Sequence, residues 1–116
     1  MSNKKYLKGA KEIKPLATGY GACFATDEIT VKGCKIGYFY RESPESLVDS
    51  GWRFLSGYES DEYIVNPNNI GIHDVNTIAN YDPDIIAYLK KPIGSEYIRD
   101  PITNAFVSTR TKLVEP

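Results

Sequence analysis

The chain has 116 residues, a formal net charge of -1, 41% hydrophobic and 25% charged residues. A chain of this size suits one domain, which buries roughly two thirds of its unfolded surface and needs no staples. The near-neutral balance excludes an overall electrostatic pull toward nucleic acid or an anionic membrane.

Aromatics make up 12% of the residues, and nine of them are tyrosine. Tyrosine favours strands and buries its ring while the hydroxyl stays wet, which suits a half-exposed sheet or a binding face. Cys23 and Cys34 form no CxxC or Cys/His pattern and read as buried reduced thiols. A disulfide is the alternative, since both flank one predicted turn. Met1–Lys8 is positive but has no apolar run behind it, so it does not read as a signal peptide. The longest apolar run, Ile85–Leu89, is far short of a membrane span. The expected compartment is the cytoplasm.

Residues 1–16 carry five lysines against Glu12 and read as a flexible basic tail. Residues 17–108 read as a single α+β domain, and 109–116 as a C-terminal tail. The first strand is expected at Tyr20–Thr26, followed by a turn at Asp27–Glu28. A short extended piece at Ile29–Val31 then ends at Gly33. Lys35–Glu42 is predicted to be a long central strand, because large apolar groups fall on both of its faces.

Ser43-Pro44-Glu45 carries the signals of a helix start, with Leu47 and Val48 pinning the helix to the sheet and Gly51 ending it. Trp52–Ser56 is the third strand. A loop follows at Gly57–Glu62, and extended structure resumes at Tyr63–Val65. Asn66–Asn69 is a turn, Ile70 and Ile72 make a brief strand, and Asp74 caps a short helix that carries Val75 and Ile78. Asp82–Lys91 has an acidic cap, proline at its first position and lysines at its end, the strongest helix signal in the chain. Glu96–Arg99 and Ala105–Ser108 close the domain as a hairpin. Strands outnumber helices without alternating regularly, so the expected architecture is a mostly antiparallel twisted sheet with two or three short helices.

The candidate chemistry centres on Tyr58, Glu59, Asp61 and Glu62, with Asp49 nearby. Clustered carboxylates can bind a hard cation or divide into acid and base. Here no D-x-D-x-D-G loop is present and no histidine joins the cluster, so we assign no metal, cofactor or catalytic group. From Tyr40 to Glu62, Arg41 and Arg53 stand against Glu42, Glu45, Asp49, Glu59, Asp61 and Glu62, a net of minus four. Such a segment attracts a basic partner and repels phosphates. Tyr58, Glu59, Asp61 and Glu62 are therefore the expected partner-binding residues, with no role toward nucleic acid or membrane. His73 abuts Asp74, a pairing that can orient a base, but no serine or cysteine sits in a nucleophile motif. It reads as a surface or capping histidine. The alternative is a small enzyme or ligand-binding domain that uses Asp49, Glu59, Asp61 or His73.

Three stretches together resemble a known family: Ala22-Cys23, Lys35–Glu42, and Asp49-Ser50-Gly51-Trp52-Arg53-Phe54-Leu55-Ser56-Gly57 with Glu59 and Tyr63. The family is a bacterial domain of unknown function, also labelled the immunity protein thirty-three type of polymorphic-toxin systems. Asn80-Tyr81-Asp82-Pro83, Ile86, Leu89 and Pro92-Ile93-Gly94 are similar to its later portion. The resemblance covers roughly residues 20 to 108. It implies a non-enzymatic protein that binds and blocks a cognate toxin, and it carries over no catalytic residue.

Overall fold

The computed structural model describes residues 4–109. Six strands make one sheet: β1 (Ala22–Thr26), β2 (Tyr38–Arg41), β3 (Asp49–Leu55), β4 (Ile70–Asp74), β5 (Glu96–Arg99) and β6 (Phe106–Ser108). Their spatial order is β4-β1-β3-β2-β5-β6. β1 and β3 run parallel, and every other neighbouring pair is antiparallel. Three short α-helices join them: α1 (Asp27–Thr30), α2 (Asp61–Val65) and α3 (Val75–Tyr81). Turns of 3-10 helix lie at Ala10–Glu12, Pro67–Asn69 and Pro83–Tyr88. The expected α+β class with a mostly antiparallel sheet is therefore the architecture. No helix among the described residues is long and apolar enough to cross a membrane.

One face of the sheet carries the core. Alternation along β1 and β3 sends Cys23, Ala25, Trp52 and Phe54 to this side, where Val75, Ile78, Ala79, Ile85 and Leu89 cover them. The Trp52 indole N–H donates to the Leu89 carbonyl at 3.2 Å, which satisfies its one polar atom inside the core. Phe39 of β2 is the hub of the ring contacts. It lies within 4.8–5.9 Å of Trp52, Phe54, Tyr88, Tyr97 and Phe106. Burying each such side chain contributes about 1.5–3 kcal/mol.

Three local expectations fail for identifiable reasons. Ile29–Val31 is not extended, because Ile29 and Thr30 belong to α1. Gly33, at φ +79°, donates to the Ile29 carbonyl, so this glycine closes a helical turn rather than a strand. No helix forms at Ser43–Ser46. The Asp49 carboxylate accepts the Glu45 N–H at 2.8 Å and draws the chain into β3 instead, leaving Leu47 and Val48 exposed. Tyr63–Val65 is helical, because Ser60 caps α2 by accepting the Tyr63 N–H. Asp82–Lys91 forms the 3-10 helix Pro83–Tyr88, with Asp82 capping it as expected.

The stretch expected to be a basic tail makes backbone contacts. Leu7 N–H donates to the Thr30 carbonyl, and Lys8 N–H to the Tyr81 hydroxyl. Asn76 and Asn80 bind the backbone of Lys14, Leu16 and Ala17. The expected C-terminal tail, 109–116, lies outside the described residues apart from Thr109.

Candidate functional site

The face opposite α1, α3 and the Pro83–Tyr88 turn stays largely uncovered, with α2 at its margin. Register places Ile72 beside Phe24, Phe24 beside Arg53, Arg53 beside Tyr40, and Leu55 beside Tyr38. Ile98 lies beyond Tyr38 on the same face. Large apolar groups thus line both sides of the central strands, but only one side is roofed. Ile72 is 72% exposed, and Ile98 and Val107 are also exposed.

Arg53 holds the middle of this face. Its guanidinium lies 4.3 Å from the centroid of the Phe24 ring. It donates to both Asp49 oxygens, at 2.9 and 2.8 Å, and to Glu42 Oε2 at 2.6 Å. A guanidinium matches a carboxylate through two parallel N–H bonds and stacks on an aromatic face at the same time. Arg53 itself holds Asp49 well below the usual carboxylate range. The Arg53 side chain is only 4% exposed, whereas that of Glu42 remains 48% exposed. The pair depends on an irregularity in β3: the β1 register advances two residues, from Ala22 to Phe24, while β3 advances four, from Asp49 to Arg53. Gly51, at φ +90°, lies within that irregularity.

Between this face and α2 is a cavity of about 420 Å³. Phe24, Leu55, Ile64, Ile70 and Ile72 supply apolar walls, and Arg53 and Glu42 are the charged groups in its lining.

The sequence-predicted residues divide. Tyr58 projects outward and is 92% exposed. Asp61 and Glu62 are exposed on the first turn of α2. Glu59 turns inward: it accepts from Ser56 N–H at 2.8 Å, Gly57 N–H at 3.0 Å and the Thr26 hydroxyl at 2.6 Å. Burial works against its charge, but the Thr26 hydroxyl and the backbone donors outweigh that and hold its carboxyl below the ordinary value. Glu59 thus ties the end of β3 to β1.

Asp49 is taken up by Arg53, and Asp74 caps α3 by accepting the Asn76 N–H. His73 lies beside Tyr6, edge to face at 5.3 Å, and burial lowers its pKa. Asp49, Glu59 and His73 therefore do not converge on one reacting point. Among the described residues no three His, Cys, Asp or Glu side chains group as metal ligands. Cys23 is buried as expected; Cys34 is exposed, a correction to the expected buried pair, and both are free thiols.

The sequence model of the immunity protein Imm33 domain matches residues 23–109. The chain belongs to the Imm33 immunity protein domain family. No curated protein and no solved structure matches it. The matched span of the Imm33 domain runs from β1 to β6, so it takes in the open face, the Arg53 cluster and the acidic segment alike. Sequence reasoning missed the open face as a candidate site. The signal for it was the tyrosine content and the apolar residues on both sides of β2. Strand order was needed to bring Phe24, Ile72 and Leu55 onto the same surface.

Proposed function

We propose that this Imm33 domain acts in the cytoplasm as a non-enzymatic binding protein that neutralises a cognate protein toxin. The observation that carries the reading is an uncovered apolar sheet face in a member of an immunity protein family. Surfaces of this kind, rimmed by polar groups, mark protein interaction sites. Tyr58, Asp61 and Glu62 stand beside that face as exposed contacts for a basic partner, and Glu59 shapes the loop that presents them. The cavity also favours a second reading, a small-ligand site, since its volume falls in the ligand-pocket range of roughly 300–1,000 Å³.

The test is co-expression with the toxin encoded by the neighbouring gene. Rescue of growth, together with a stoichiometric complex of the two purified proteins, is the expected result. Toxicity that persists at full expression of the folded domain overturns the reading.

A further inference from the structure

The strongest unassigned feature is the cavity between α2 and the open face, and its lining defines what can enter. Apart from Arg53 and Glu42 the walls are dominated by apolar side chains from four elements: Phe24 of β1, Leu55 of β3, Ile64 of α2, and Ile70 and Ile72 of β4. Arg53 is not available to an incoming anion, since its nitrogens already engage Asp49 and Glu42 and its plane rests on Phe24. Glu42 is the half-exposed charge in the lining. Asp61 and Glu62 lie one helical turn or less from the Ile64 wall.

We infer that this cavity receives a large aliphatic or aromatic side chain of the partner protein, and that a lysine or arginine next to that anchor meets Glu42. The inference rests on the toxin-binding reading above and names the chemistry of its partner. Charge complementarity selects the occupant. A phosphate-bearing ligand meets Glu42 with no free cation in the lining to hold it. A second copy of this chain, docked about a two-fold axis, brings the same acidic surface against itself. A protein segment with an apolar side chain beside a basic one satisfies both the apolar walls and Glu42.

The floor is also organised in advance. The double Asp49–Arg53 contact, the Glu42 contact and the Phe24 stack hold it rigid before anything binds, which lowers the ordering cost of association. An apolar anchor in a pocket with a polar rim is the usual arrangement at the energetic centre of a protein interface.

The probe is a catalytically inactive form of the toxin domain encoded by the neighbouring gene. It is titrated calorimetrically against the full chain and three variants, each checked by thermal melting. Ile72→Asp and Ile64→Asp place a charge on the β4 and α2 walls of the cavity at exposed positions, so the fold is retained. Ile102→Asp, in the exposed turn between β5 and β6, is the control. The expected result is binding at least tenfold weaker for both wall variants and unchanged for the control. Wild-type affinity in either folded wall variant overturns the inference while leaving the toxin-binding reading intact, and so does an equal loss in the control. Failure of the unmodified chain to bind the toxin domain overturns both.

Discussion

Asp49 and Arg53 lie four residues apart in the same strand, yet their side chains make two hydrogen bonds of 2.9 and 2.8 Å. In a regular strand such residues are about 13 Å apart, at roughly 3.3 Å per residue. The irregularity around Gly51 shortens that separation, since four residues of β3 span only two of β1. A Cβ on Gly51 would approach the Glu42 carbonyl oxygen to 2.2 Å, and its φ of +90° is one that other residues rarely adopt. One glycine therefore positions both carboxylates that hold Arg53, since Glu42 N–H also donates to the Gly51 carbonyl.

Gly51→Ala is predicted to destabilise the domain by about 2 kcal/mol or more, from the unfavourable backbone conformation together with the displaced Glu42 carbonyl. Chemical denaturation measures this directly. Stability within about 0.5 kcal/mol of the parent would show that the irregularity relaxes without strain.

Removing one partner from the buried ion pair is costlier than replacing the whole cluster. Asp49→Asn leaves Arg53 buried and short of half its compensation, so a loss of about 3–5 kcal/mol is expected. Asp49→Asn combined with Arg53→Met should recover part of it. The pH dependence follows from the sign of the shift: the folded-state pKa of Asp49 is depressed. Its stabilising contribution is therefore complete above the unfolded value of about 3.9 and fades as pH falls through the folded value. Denaturation midpoints of the parent should drop as pH falls below about 4, whereas those of Asp49→Asn should drop less steeply. Parallel curves would remove Asp49 from the account.

The features that were legible in the sequence had mostly local causes. Asp74 capping α3, Asp82 capping the Pro83 turn and the closing hairpin each follow from residues within a few positions of one another. The division of β3 into Trp52 and Phe54 on one side, Arg53 and Leu55 on the other, follows from strand alternation. Two failures were local as well, Ser60 capping α2 and Gly33 closing the turn after α1, but others turned on strand pairing. Ser43-Pro44-Glu45 reads locally as a helix start, but Asp49 takes the Glu45 N–H and pairs with Arg53, so the same residues become a loop. Gly51 reads as a helix end and instead allows a strand to fold on itself. The open face depends on β1 lying between β3 and β4, an order no local pattern contains.

The acids following β3 separate by experiment as they do by geometry. Glu59→Gln is predicted to cost about 1–2 kcal/mol, because a charged acceptor of two backbone N–H groups and the Thr26 hydroxyl becomes a neutral one. Asp61→Lys with Glu62→Lys alters exposed groups, so its effect on stability should stay within about 0.5 kcal/mol. Its effect belongs in the partner's association rate and the salt dependence of that rate. A double reversal that leaves the association rate unchanged would remove Asp61 and Glu62 from the interface.

The two cysteines offer a direct check of the core. Cys23 is 1% exposed on the face covered by α3, and burial pushes its thiol pKa up, so the reactive thiolate is scarce at neutral pH. Cys34 is exposed beyond α1, 3.9 Å from the Glu28 carboxylate. Titration of the native protein at pH 8 with a thiol-specific reagent is expected to modify Cys34 rapidly and Cys23 only after unfolding, giving one equivalent in buffer and two in denaturant. Cys34→Ser should abolish the fast equivalent without changing the melting temperature. Cys23→Ser should lower that temperature, because it buries a hydroxyl among Ala25, Val75 and their neighbours. Two equally fast equivalents from the native chain would mean that the layer of α3 over β1 opens on the timescale of the reaction.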